Sequence, residues 1–149
     1  MTFVTKIIIP MLIALSIGGL IAENAVKTES PKRKVIVYYF HHTLRCKSCV
    51  RMEELTKETV EKYFKKELAD SLIIFKPVDV DEEQNIHFEE DYKLEFQQVI
   101  LSNHAGYKET AWKNLEKVWD LLHQEDDYRQ YIRKELNQFI KDNKQSEQK

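Results

Sequence analysis

Apolar and polar positions alternate along this chain with changing period, and each period predicts a different element. Residues 7–22, from Ile7 to Ala22, carry no charged side chain, and Lys6 alone precedes them before Glu23. A basic residue ahead of such a run is the pattern of an export signal or an N-terminal membrane anchor. Val35-Ile36-Val37-Tyr38-Tyr39-Phe40 is an unbroken run of β-branched and aromatic residues, too short for a helix, which predicts a central strand covered on both faces. Val50, Met52, Leu55, Val60, Tyr63, Phe64 and Leu68 then recur at intervals near three and four, with Glu and Lys between them, which predicts one amphipathic helix. Leu72 to Val80 reads as a second strand, and Pro77 within it, lacking an N–H for the ladder, places it at a sheet edge.

Asp79-Val80-Asp81-Glu82-Glu83-Gln84 supplies turn and helix-start residues for a short helix over Ile86 to Leu94. The carboxylates are expected to cap it; the glycine and later Glu of a calcium loop are missing. Gln98-Val99-Ile100-Leu101 and Tyr107 to Trp112 flank Asn103-His104-Ala105-Gly106 and predict a hairpin. Asn114 is expected to cap a helix bearing Leu115, Val118, Leu121 and Leu122, and Tyr128, Ile132, Leu136, Phe139 and Ile140 continue with helical spacing. Trp119 falls in step with Leu115 and Leu122, and both it and Trp112 are expected to pack in the core.

The element order is therefore βαβαββα, an α/β chain with a four-stranded mixed sheet and flanking helices. Four regions follow: residues 1–22 as signal peptide or anchor, 23–34 as a polar linker, 35–142 as the folded domain, and 143–149 as a frayed Lys- and Gln-rich tail. A chain of 149 residues supports one such core. Lys and Arg total 23 against 25 Asp and Glu, which leaves no electrostatic footprint for nucleic acid. The expected location is extracytoplasmic, in the periplasm or cell envelope. Cleavage after Ala22 would put Leu20 where a small residue is preferred, so soluble and anchored forms both stay open. Neither cysteine directly follows the apolar run, which excludes a lipoprotein anchor.

The chemistry concentrates at Cys46-Lys47-Ser48-Cys49, between a predicted buried strand and an amphipathic helix. Unpaired backbone N–H groups and the positive end of the dipole at a helix start favour a thiolate, and Arg45 and Lys47 add positive charge. Cys46 is thus the expected exposed nucleophile and Cys49, one turn on, the resolving thiol. His41 and His42 lie just upstream and could modulate the pair. Together with Cys46 and Cys49 they also offer a soft-metal or metalloid site. A third reading is an inert disulfide in an interaction domain, although so short a loop contributes little to stability.

Val35 to Phe40, the CxxC and Val78-Asp79-Val80-Asp81, in this order of elements, resemble the thioredoxin-like superfamily. More narrowly, Tyr39-Phe40-His41, Arg45-Cys46 with Cys49, Asn85-x-His87-Phe88 and Trp112-Lys113-Asn114-Leu115 resemble a small bacterial family of nitrophenyl compound nitroreductase subunits. The broader resemblance implies thiol–disulfide exchange or electron relay with a protein thiol or disulfide partner. With no glycine-rich dinucleotide fingerprint in the chain, no cofactor is expected, and nitro reduction would need a partner protein. Where thioredoxins carry a cis-proline before the hairpin, this chain has Phe96-Gln97-Gln98, which keeps the metal-binding alternative in view.

Overall fold

A computed structural model describes residues 33–145 of the chain. The apolar run of residues 7–22 and the linker as far as residue 32 lie outside the described residues, as do the last four. Among the described residues no helix is long and apolar enough to cross a membrane.

Four strands form one mixed sheet in the order β2-β1-β3-β4: β1 (Arg33–His41), β2 (Ile73–Asp79), β3 (Gln98–Ala105) and β4 (Lys108–Asn114). β1 runs parallel to β2 and antiparallel to β3, and β3 and β4 form the hairpin. This is the thioredoxin-like α/β arrangement that the element order implies. The β1 run is central because it has no polar position to turn toward water. Val35, Val37 and Tyr39 point to one face, Ile36, Tyr38 and Phe40 to the other, and all six are buried. β1 also takes in Arg33 and Lys34, two residues assigned to the linker by composition; they pair with Ala105 and His104.

Helices α1 (Lys47–Tyr63) and α5 (Glu125–Gln145) cover the first face. Met52, Leu55 and Val60 meet Tyr128, Ile132 and Leu136 there in the larger core. Tyr128 holds the two helices in register: its hydroxyl lies 2.7 Å from the Thr56 hydroxyl and 3.3 Å from the Met52 carbonyl oxygen. The other face carries a smaller aromatic core, in which Phe88 and Tyr92 of α3 (His87–Tyr92) pack at a tilt against Tyr38 and Phe40.

Several expected boundaries move. The single amphipathic helix is two, α1 and the short α2 (Lys65–Ala69), because the chain leaves helical geometry at Phe64 (φ −125°, ψ 35°) to drop that ring into the core. Val50 and Tyr63 face solvent, while Cys49, Thr56 and Thr59 take buried positions on α1. Thr56 and Thr59 are tolerated there because their hydroxyls donate to the Met52 and Leu55 carbonyls at 2.8 and 2.6 Å. The hairpin turns at Gly106-Tyr107, where Gly106 adopts φ 64°, so Asn103 to Ala105 extend β3. Asn114 does not cap a helix: it ends β4 opposite Ile100, and α4 (Val118–Leu121) begins four residues past it. Trp119 packs against the larger core, but Trp112 stays partly exposed on the edge strand, touching Tyr92 edge-on. The helical spacing from Tyr128 on continues through residue 145, beyond the expected start of fraying at 143.

Candidate functional site

Strand β1 ends at His41 and the chain crosses a five-residue loop before α1 starts at Lys47, so Cys46 falls at the N-cap. The cap geometry is its own: Cys46 has extended backbone (φ −77°, ψ 164°) and its Sγ accepts the Cys49 N–H at 3.0 Å. A sulfur thus stands where a serine or aspartate oxygen ordinarily satisfies an orphan helix donor. Cys46 and Cys49 form a disulfide, with Cα atoms 5.0 Å apart. Cys46 is exposed, whereas Cys49 is only 3% exposed. The backbone of Cys49 is fixed from below by Tyr39, whose hydroxyl donates to its carbonyl oxygen at 2.6 Å. Burial raises the Tyr39 phenol to about 12, the nearby Arg45 guanidinium opposing it, so the group stays a neutral donor in the ordinary pH range.

The flanking cations do not act alike. Arg45 lies over the Tyr39 ring, 5.7 Å from its centroid, and pairs with the Glu53 carboxylate, which offsets its charge. Lys47 lines an open cleft with Ser48, Leu122 and His123. His42 turns to Asp81, Nδ1 2.8 Å from Oδ1. His41 lies against the Tyr39 ring and its Nδ1 is 3.0 Å from the His42 carbonyl oxygen. Among the described residues no group of three or more His, Cys, Asp or Glu side chains is gathered to hold a metal ion.

Asp79 and Asp81, expected from the sequence as helix caps, anchor instead the loop that carries the disulfide. Thr43 donates its N–H to Asp81 Oδ2 at 2.8 Å and its hydroxyl to Asp79 Oδ2 at 2.7 Å. The Asp81 N–H in turn donates to Asp79 Oδ1 at 3.1 Å, and Val80 N–H to the His41 carbonyl at 2.9 Å. These carboxylates therefore do not cap α3, whose N-cap is Ile86 with no side-chain bond. Hydrogen bonds from His42 and from the Thr43 backbone hold the Asp81 carboxyl below its usual range. Asn85 completes the arrangement by donating to the Asp79 carbonyl at 2.8 Å. The alternation Asp79-x-Asp81 was the available signal, since successive outward positions at a strand end both reach the neighbouring loop.

The described residues form an α/β fold with thioredoxin-like sheet order and strand directions, and carry a CxxC disulfide at the N-cap of the helix that follows the central strand. Solved structures similar to parts of this chain include thioredoxins. The germline-specific thioredoxin Deadhead (thioredoxin-1) of Drosophila melanogaster is 22% identical, with 61% of this chain and 80% of that one covered and a TM-score of 0.37. A thioredoxin from Thermus thermophilus is 14% identical over 61% of this chain and 72% of its own, with a TM-score of 0.34. A malarial protein is 22% identical over 54% of this chain and 80% of its own, with a TM-score of 0.37. No family model matches the chain, and no curated protein does. The sheet order and strand directions carry the fold assignment.

Proposed function

We propose that this protein performs thiol–disulfide exchange or relays electrons through the Cys46–Cys49 pair, outside the cytoplasm, to which the apolar run of residues 7–22 would direct it. The observation that supports this is the asymmetry of the pair: an exposed Cys46 sulfur at a helix N-cap, receiving an N–H, joined to a buried Cys49. In the reduced protein the Cys46 thiolate attacks a partner disulfide, forming a mixed disulfide and expelling one partner thiolate. Cys49, deprotonated, then attacks the Cys46 sulfur, closing the internal disulfide and releasing the second partner thiolate. Two electrons pass from the dithiol to the partner, and the reverse sequence oxidises a partner dithiol. Leu44, 89% exposed two residues before Cys46, offers an apolar contact for the incoming chain. The narrower resemblance to nitrophenyl compound nitroreductase subunits extends this reading to a partner that reduces nitro compounds, with this chain delivering its electrons.

The test is trapping. Reduced Cys49→Ser protein mixed with oxidised glutathione forms a stable adduct at Cys46, while the wild type passes through the adduct to the internal disulfide. A Cys46 that stays unmodified under these conditions overturns the proposal.

A further inference from the structure

The two edges of the sheet are not alike. β2 carries Pro77, whose ring and missing N–H keep an added strand away, whereas β4 has no proline and, among the described residues, no strand beyond it. The alternation of an antiparallel ladder fixes which of its backbone groups are taken. Leu115 donates to the Val99 carbonyl at 2.9 Å, and in the same register Lys113 faces Leu101 as the next hydrogen-bonded pair. The N–H and C=O groups of Trp112 and Asn114 therefore turn away from β3, toward the open edge.

An open groove of about 610 Å³ follows this edge. Its floor is β4 from Trp112 to Asn114; one wall is Tyr92 and Lys93 at the end of α3, and the other is Tyr131 and Lys134 of α5. α3 and α5 cover opposite faces of the sheet, so the groove straddles the edge in the space that a further strand and its alternating side chains would fill. Trp112 is 40% exposed, and its indole N–H has no acceptor among the described residues.

The charge of the lining selects the strand. Lys113 is already paired, its ammonium 2.6 Å from the Glu135 carboxylate. Lys93, Lys117 and Lys134 have no ion-pair partner among the described residues, against a single unpaired carboxylate in the groove, Glu116. A second copy of this chain would bring its own lysine-lined edge against this one, like charge facing like charge. Acidic side chains on an incoming strand would meet Lys93 on one face and Lys134 on the other.

We propose that the free β4 edge binds an extended acidic segment of another protein as a fifth strand of the sheet. Backbone bonds to Trp112 and Asn114 supply the attachment, and the lysines supply the choice of sequence. No redox step enters, so the proposal is independent of the function proposed above.

The experiment uses the full oxidised chain, with the backbone amides of Trp112 and Asn114 and the Trp112 indole followed by NMR. The probe is the blocked heptapeptide Thr-Asp-Val-Glu-Val-Asp-Thr. It is compared with Thr-Lys-Val-Lys-Val-Lys-Thr, of opposite charge, and with Thr-Asp-Pro-Glu-Pro-Asp-Thr, which keeps the carboxylates but cannot pair as a strand. The acidic peptide is expected to shift the three signals saturably, to slow hydrogen exchange at both amides, and to bind about tenfold or more tightly than the lysine peptide. The proline peptide should give no such protection. Lys134→Gln, on the exposed side of α5, should weaken the acidic peptide by up to about fivefold, the range of one exposed ion pair. Equal protection by the proline peptide would show charge attraction without strand addition, and equal binding of the lysine peptide would show pairing without selection. No shift with any peptide would show an edge that its lysines only guard. Protection that grows with protein concentration in the absence of peptide would place a second copy there. Each of these four results overturns the proposal.

Discussion

At the scale of single residues, the neutral phenol of Tyr39 is the support on which Cys49 rests. Its folded value near 12 lies above the ordinary 10.0, so the unfolded chain loses this proton first as pH rises. The stability it contributes is therefore complete below pH 10 and lost as pH climbs through 10 to 12. Tyr39→Phe is expected to cost about 1–2 kcal/mol in urea unfolding near neutrality, because the Cys49 carbonyl loses a buried donor. The same variant should show a shallower alkaline loss of stability than the wild type. A second prediction concerns Arg45, whose charge Glu53 offsets. Glu53→Gln frees that charge and should lower the Cys46 thiol pKa, read by thiolate absorbance across a pH titration of the reduced protein; an unchanged titration would show that Arg45 lies outside its field. The exposed and buried positions of the two cysteines follow from residues visible in the sequence, an apolar strand end and a helix start. The Arg45–Glu53 pair was less legible, because it joins a loop to a helix position two turns away.

Among the elements, the loop between β1 and α1 is the one whose order bears on the chemistry. Asp81→Asn removes the charge that Thr43 and His42 face, and hydrogen exchange at the Thr43 amide should accelerate, while exchange in the α1 interior stays as it was. Because the Asp81 carboxyl is held low, the stability from this contact is present above the ordinary carboxylate range and lost as pH falls through its folded value. At this scale the sequence was informative where one physical demand dominated. Val35 to Phe40 had no polar face, and Pro77 could not sit in a central strand; β1 is central and β2 is an edge. It misled where two demands competed. Phe64 continued the helical spacing of α1, but burying its ring required leaving the helix. Asn114 has the chemistry of a cap, yet pairing with Ile100 extends the hairpin to it. Asp79 and Asp81 looked like caps because their partners, His42 and Thr43, are brought near only by the parallel pairing of β1 with β2.

For the whole molecule, the two faces of the sheet divide the work. The face under α1 and α5 holds the larger core, so Leu136→Ala should cost about 2–5 kcal/mol in urea unfolding. Leu136 belongs to α5, away from the α1 N-cap, and its replacement should leave the reduction potential of the cysteines where it was. The short disulfide loop closes little of the unfolded chain, less than the roughly 3 kcal/mol of a fifteen-residue loop, so stability and redox poise are separable. The central claim is that the pair is poised for exchange. Its most direct test is the reduction potential of the Cys46–Cys49 couple, measured by equilibration with reduced and oxidised glutathione. A reversible couple above about −250 mV is the predicted result, and a pair that resists reduction below about −300 mV would contradict the account.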